Sequence, residues 1–354
     1  MNLDVIFHRG VQRVSAKYRG KQDFDRLPEE LREQVYELHK EINERLETDR
    51  LRVLTETGHP NLYFDFVECS EDNAVAFTSE GWAMVGVTTG VLTTAHQMMC
   101  RLSHDIPTLH CLGFRDVDED QAMIHGLLRV LLFRFVTAHE FGHHAKGHLG
   151  IASASDGFQM REEIGPFPVG DKIERHVFEL EADAYAVENI VRPTLRRGKI
   201  HRWLVSKTFG VEEDEPELDQ RYASALLIAV ASYFQSIPQP GFTGETVREV
   251  LTHPPRLVRL RYITDTIRAM VSRGEPQLLS WLDASTFHRL CSRALVKGKP
   301  PGMSLEQQEE FVESEAGRAY MQCLDDARAG ITAKYERFAW KPNFAPIFWQ
   351  RSSS

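Results

Sequence analysis

The chain has 354 residues, a formal net charge of −9, 42% hydrophobic residues and 26% charged residues. This composition is ordinary for a globular protein, and the negative charge argues against a general nucleic-acid binder and gives no reason to expect an anionic membrane partner. The five cysteines are odd in number and contain no CxxC pair, which argues against a disulfide framework or a cysteine zinc site and favours a cytoplasmic protein.

The first residues of the chain include an acidic residue at position 4 and no long apolar stretch, so we expect no signal peptide. The two longest apolar runs cover residues 127–138 and 223–234. Both are shorter than the roughly 20 residues that span a bilayer. We therefore expect no membrane insertion.

The first third of the chain predicts a helix followed by two strands. Residues 27–52 carry apolar side chains at helical spacing after Pro28 and two glutamates. Residues 61–68 and 81–89 are rich in β-branched and aromatic side chains, which are typical of strands. A helix is expected from about residue 92 to 103.

The rest of the chain reads as mainly helical. A loop is predicted over 101–120, and another, rich in glycine and proline, over 150–173. Further helices are expected at 122–148, 174–197, 219–235, 256–273, 277–296 and 305–329. The aromatic tail at 338–349 is expected to pack back onto the protein.

The helix predicted over 122–148 contains His139-Glu-Phe-Gly-His143. Residues i and i+4 lie on one face of a helix, so both imidazoles can reach the same metal ion. Glu140 lies next to them and can act as a general base for a metal-bound water. This HExxH pattern is the signature of zinc peptidases, but it also arises by chance and needs a third ligand.

The best third ligand lies on the next predicted helix. A carboxylate at Glu179 would complete a set of two histidines and one glutamate, which leaves a coordination position open. Asp183 lies one turn further on and can accept the remaining ring N–H of a ligand histidine. Glu181 faces elsewhere on the helix, and His176 stays open as an alternative ligand. His144 and His148 are expected to be supporting residues.

These motifs, together with two others, resemble the gluzincin metallopeptidases related to the CAAX prenyl protease, HtpX and Oma-type enzymes. The HExxH motif at 139–143 is followed by Glu179-x-x-x-Asp183. Asn73-Ala-Val-Ala76 with the segment 85–92 resembles a further motif of that group, and so does the His-Pro…Arg segment at 252–260. A looser similarity links residues 150–260 to the Lit-type phage-exclusion peptidase.

The resemblance implies an α+β, mainly helical fold with a zincin-like catalytic domain. It implies one Zn²⁺ ion held by His139, His143 and Glu179, with Glu140 as the general base. His253 and Arg259 are expected near the site, and one of them is expected to stabilise the oxyanion.

The resemblance also implies an edge strand beside the HExxH helix. Such a strand would pair with an extended peptide substrate through main-chain hydrogen bonds. The residues assigned to it are Trp82, Ala83, Met84, Val85, Gly86 and Val87.

Three segments are therefore predicted: an N-terminal helical segment at 1–60, a metallopeptidase domain at 61–273 and a C-terminal helical extension at 274–354. The expected activity is zinc-dependent cleavage of an intracellular protein. One alternative is a latent regulatory or phage-defence protease specific for one host protein, with a possible regulatory partner on the C-terminal extension. Another is a non-catalytic scaffold that zinc stabilises.

Overall fold

The computed structural model describes residues 2–114, 121–149, 172–195, 205–213, 215–237, 239–271, 283–295 and 302–342. Its α+β, mainly helical fold with a small three-stranded sheet confirms the predicted fold class. Two compact units are present. The first comprises Met1–Leu92, Glu140–Val169 and Thr332–Ser354, and the second comprises Thr93–His139 and Gly170–Ile331. The predicted division into three segments stays a prediction.

The first unit begins with two helices, and α2 confirms the predicted first helix. Its labelled elements are α1 (Leu3–Val14), α2 (Glu29–Arg50), β1 (Val53–Leu54), β2 (Asn61–Val67), β3 (Ala74–Ser79), β4 (Trp82–Thr88) and β5 (Lys341–Pro342). A 3-10 turn at Phe24–Arg26 precedes α2. Strands β2 and β4 confirm the two predicted strands, whereas β3 is not predicted by the sequence analysis.

The main sheet has the strand order β2-β4-β3. Strand β4 runs parallel to β2 and antiparallel to β3. The β3–β4 hairpin turns at Glu80 and Gly81, whose φ angles of 49° and 79° are both in the left-handed region. Two consecutive residues of this kind form the type I′ turn that matches the twist of a hairpin.

The prediction of an edge strand at 82–88 is wrong, because β4 is the middle strand of the sheet. Trp82, Ala83, Met84, Val85, Gly86 and Val87 all have register partners on both β2 and β3. The main-chain groups of β4 are therefore used within the sheet. An extended peptide cannot add to this strand without displacing one of its neighbours.

The outer side of β2 is occupied as well. Asn43 of α2 donates to the Phe64 carbonyl at 3.0 Å and accepts from the Phe64 amide at 3.1 Å, so its side chain takes the place of a neighbouring strand. Further along, the Gln22 amide donates to the Phe66 carbonyl at 2.8 Å and the Glu68 amide donates to the Gly20 carbonyl at 2.9 Å. Covering the strand edge in this way removes a template for aggregation.

Helix α1 packs on this sheet through a continuous apolar cluster that includes Phe7, Val67, Val75 and Phe77, all of them fully buried. Gly86 allows this close packing. A Cβ atom at Gly86 would lie 2.7 Å from Val67 Cγ2 and 3.3 Å from Phe7 Cζ, so a larger residue would push the helix and the strand apart.

The second unit is helical. Its elements are α3 (Thr89–Leu102, from Thr93), α4 (Ile106–Cys111), α5 (Gln121–Ala145, to His139), α6 (Lys172–Leu195), α7 (Pro216–Ser236), α8 (Val247–Val250), α9 (Arg256–Val271), α10 (Ala284–Leu295), α11 (Leu305–Glu313) and α12 (Glu315–Tyr335, to Ile331). A short helical stretch also covers 205–209. Helix α9 packs on α6 and α7, and α10 packs on α7.

Several predicted helices are confirmed with shifted ends. Helix α4 lies inside the predicted loop at 101–120, and the helix predicted at 305–329 is two helices that meet at Ser314. The predicted loop at 150–173, apart from its last two residues, lies outside the described residues, as does the tail beyond residue 342.

The length of helix α5 bears on the expectation that no segment of the chain inserts into a membrane. The apolar run at 127–138 is short, but the helix around it has 25 residues and is long and apolar enough to cross a membrane. The core helix of a globular protein passes the same test, and half of the apolar window is buried inside the protein. Length and composition alone do not separate these two cases.

We expect Asn43→Ala to lower the free energy of unfolding by about 1–3 kcal/mol, because it leaves the buried Phe64 amide and carbonyl without their partner. Urea denaturation would measure this change. Gln322→Ala is the control, since Gln322 bonds Asp326 on an exposed surface, and it should change stability by less than ~0.5 kcal/mol. Equal effects of the two substitutions would contradict the role assigned to Asn43.

Candidate metal centre

Helices α5 and α6 supply three buried side chains that can hold a metal ion. His139 and His143 lie one turn apart on α5, and Glu179 lies on α6. One ligand atom from each residue lies within 4.8 Å of the others, and the exposed fractions of the three residues are 6%, 0% and 5%. This is the set of ligands predicted from the sequence.

Asp183 orients the first histidine. Its Oδ1 atom lies 2.9 Å from Nδ1 of His139, and because a carboxylate only accepts, Nδ1 is the donor. The other ring nitrogen, Nε2, lies 3.3 Å from Oε2 of Glu179, and a metal that binds it takes the place of the Nε2 proton. A carboxylate that fixes the tautomer of a ligand histidine is the usual support of a metal site.

Arg259 of α9 holds Asp183 in turn. Its Nε and Nη2 atoms donate to the two carboxylate oxygens of Asp183, both at 2.8 Å. Nη2 also lies 3.7 Å from Oε2 of Glu179. Residues of three helices, α5, α6 and α9, are therefore joined by one buried network of charged and polar groups.

His143 has a different support. Its Nδ1 atom lies 3.1 Å from Nδ1 of His148, and both side chains are buried. When His143 donates this hydrogen bond, its Nε2 keeps a lone pair for a metal. Gly147, with a φ of 78°, ends the helix just before His148 and turns the chain back.

His144 faces away from the ligands and anchors the end of α5. Its Nε2 lies 3.1 Å from the Met84 carbonyl, and its ring stacks on Trp340 at a centroid distance of 6.2 Å. The Trp340 amide donates to the Ala145 carbonyl at 2.9 Å. The described start of the aromatic tail therefore packs back on the protein, as predicted.

The structure brings both His253 and Arg259 to the ligands, but in different roles. His253 Nε2 lies 3.6 Å from Oε2 of Glu179, and 37% of its side chain is exposed. Arg259 is buried, and its guanidinium fork is engaged with Asp183. Of the two candidates for oxyanion stabilisation, only His253 presents a partly exposed group, whereas Arg259 is a positioning residue.

The contacts of His176, which the sequence leaves open as a ligand, and of Glu181, which is predicted to face elsewhere, are both described. His176 Nε2 lies 3.0 Å from the Leu251 carbonyl and Nδ1 lies 2.7 Å from the Tyr320 hydroxyl, so neither ring nitrogen is available to a metal. Glu181 lies 4.0 Å from Nε of Arg328, away from the ligand set. The contact between His148 and His143 could be predicted from the sequence only through Gly147, which marks the turn before His148.

The pKa shifts of the residues around the ligand set show which of these side chains are charged. Burial lowers the pKa of His139, but its hydrogen bonds with Asp183 and Glu179 outweigh burial and raise the pKa to about 10. Burial raises the pKa of Asp183, but Arg259 and His139 outweigh it and lower the pKa. Burial lowers the pKa of His144 to about 4, so this histidine is neutral.

The donor set fits a zinc ion. Two imidazole nitrogens and one carboxylate oxygen form a three-ligand set that zinc uses when a fourth position stays open for water or substrate. Borderline ligands of this kind suit several divalent transition metals, so the structure supports a metal site without deciding which metal it binds.

No protein-family model, no curated protein and no solved structure matches the chain. The similarity to the gluzincin peptidases therefore stays a resemblance carried by the motifs.

We expect Glu179→Gln to remove most of the bound metal, because it replaces a charged ligand with a weak neutral one. Metal content per chain, measured by elemental analysis of purified protein, would show this loss. Glu181→Gln is the matched control two residues away on the same helix and should keep the metal. If both variants keep it, Glu179 is not a ligand.

We expect Asp183→Asn to reduce metal affinity by about 10–100-fold, because the amide no longer fixes the His139 tautomer as a carboxylate does. Competition with a chromophoric chelator would measure the affinity. Asp265→Asn is the control, since Asp265 contacts the half-exposed Arg268 at 3.4 Å. Unchanged affinity in Asp183→Asn would contradict the supporting role of this residue.

Proposed function

We propose that the protein is a zinc-dependent endopeptidase. The observation that carries the proposal is the buried group of His139, His143 and Glu179 with Glu140 directly beside it on α5. A purely structural zinc site needs four protein ligands and no general base, whereas this group offers three ligands and an adjacent carboxylate.

A zinc ion in this group would act as a Lewis acid and lower the pKa of water in its open coordination position. Glu140 would accept the proton of the attacking water and return it to the leaving amine. Glu140 is only 3% exposed, so bulk solvent does not compete for its carboxylate. His253 would donate to the negative charge that develops on the scissile carbonyl oxygen, since its side chain beside Glu179 is 37% exposed, against 10% for Arg259.

The substrate would be an intracellular protein, in line with the reducing compartment that the cysteines favour. Because β4 is the central strand, substrate recognition does not rest on strand addition to residues 82–87. Selectivity would come from side-chain contacts around Glu140 and His253 instead.

A latent protease specific for one host protein is the second candidate, and the burial of the site favours it. His139, Glu140, His143 and Glu179 are all less than 10% exposed. In this candidate, access of a peptide bond to Glu140 would require this part of the protein to open, as expected of a protease that waits for a trigger. The possible regulatory partner on the C-terminal extension belongs to this candidate.

We expect Glu140→Gln to lower peptide hydrolysis by about 10²–10⁴-fold while the variant keeps its metal, because only the proton acceptor is lost. Cleavage of an unfolded protein substrate and metal content would be measured together. Hydrolysis at the wild-type rate in the variant would refute the proposed mechanism.

Comparing new protein N-termini in cells that express wild type or Glu140→Gln separates the two candidates. Many cleavage sites that disappear in the variant indicate a general endopeptidase, and one or a few indicate a specific protease. A wild-type protein that binds one zinc ion and produces no such site in cells, and no hydrolysis in vitro, would instead be a non-catalytic scaffold.

A further inference from the structure

Arg256, the first residue of α9, is a buried cation without an acidic partner in the described part of the chain. Its exposed fraction is 5%. Among the described residues, its Nε and Nη2 atoms have no hydrogen-bond partner, and Nη1 makes only a 3.4 Å contact with Oε1 of Gln235. Burial lowers the pKa of Arg256 to about 10, so the guanidinium is still charged at neutral pH.

A second buried donor lies on α10, which packs against α9. His288 of α10 has an exposed fraction of 0%, and neither of its ring nitrogens has a hydrogen-bond partner in the part of the chain that the structure describes. Burial and the nearby charge of Arg256 lower the pKa of His288 to about 4, so its ring is neutral and carries one N–H donor. Buried polar groups are almost always hydrogen-bonded. Two buried residues without hydrogen-bond partners among the described residues therefore indicate that a ligand binds them.

The surroundings of Arg256 add further positive potential. The Arg256 amide lies 3.5 Å from Oε1 of Gln239, and the Leu257 amide lies 3.4 Å from Oε1 of the buried Gln308. These amides belong to the N-terminal turn of a 16-residue helix, whose dipole favours negative charge at this end. The glutamine oxygens are neutral and do not compensate the guanidinium.

From this arrangement we propose that Arg256 and His288 bind a small oxyanion in the interior of the helical unit. The two unpaired atoms of Arg256, Nε and Nη2, form the edge of the guanidinium that matches two oxygens of a sulfate, phosphate or carboxylate. The neutral His288 ring donates to the same anion. The site goes beyond the proposed function, since it contains none of the metal ligands or their supporting residues.

Arg259, on the same helix, is a buried arginine whose charge is compensated by a carboxylate. It is 8% exposed, and its Nε and Nη2 atoms both donate to Asp183 at 2.8 Å. The corresponding two atoms of Arg256 make no such bonds. An uncompensated buried charge destabilises the folded protein, whereas an anion that binds only the folded protein stabilises it.

The test compares thermal unfolding of the purified full chain in millimolar sulfate, phosphate, acetate and chloride at one ionic strength. We expect sulfate or phosphate, for an inorganic oxyanion, or acetate, for a carboxylate, to raise the midpoint by about 2–4 °C relative to chloride. Arg256→Met should abolish this difference and be at least as stable as wild type in chloride, because it removes a charge that has no partner. Arg268→Met, on the exposed side of the same helix, should keep the full difference.

Equilibrium dialysis with labelled sulfate and labelled acetate provides a second measurement that needs no folded Arg256→Met protein. We expect one of the two anions to bind once per wild-type chain, and its affinity to fall by at least ~10-fold in His288→Phe. The proposal is overturned if no anion binds or shifts the midpoint, or if Arg256→Met and His288→Phe respond to the anions as wild type does. Activity and metal content play no part in these readouts, so the result is independent of the peptidase proposal.

Discussion

The buried carboxylate of Asp183 is the group on which the candidate site depends. It receives two hydrogen bonds from Arg259 and one from His139, all between 2.8 and 2.9 Å. Breaking a buried pair of this kind costs about 3–5 kcal/mol, because the remaining charge stays in a medium of low dielectric constant. The hydrogen bonds of the three side chains need no metal, so the first ligand is oriented in advance.

The local sequence of α6 makes this arrangement possible. Glu179 and Asp183 are separated by one helical turn, so they lie on the same face and reach the same imidazole from two sides. Ala182 and Ala186 of α6 are fully buried, and α9 packs on this helix. Close packing brings the Arg259 fork within hydrogen-bond distance of Asp183, so helix spacing and ion-pair geometry reinforce each other.

How much of the fold and of the candidate site can be predicted from the sequence depends on whether the interactions involved are local or long-range. Helical and strand periodicity is local, so α2, β2 and β4 follow from the sequence, and the spacing of His139, His143, Glu179 and Asp183 places the ligands on shared faces. Strand neighbours are not local. The pattern of residues 82–88 predicts a strand but carries no information on whether it has one neighbour or two, and the unpredicted hairpin with β3 makes it central. The roles of His253 and Arg259 likewise required side-chain directions that only tertiary packing determines.

Helix α9 places two arginines, Arg256 and Arg259, in the protein interior three positions apart. Their different surroundings indicate different roles. The charge of Arg259 is matched by a carboxylate of the same chain, so it needs no ligand from solution to compensate it. The charge of Arg256 faces neutral glutamines and a neutral histidine, so its stability depends on what it binds. Because both arginines belong to one rigid helix, an anion on Arg256 would hold the N-terminal turn of the helix that carries Arg259. Occupancy of the anion site and order of the Asp183 network would then be linked through α9, without any contact between the anion and the metal ligands.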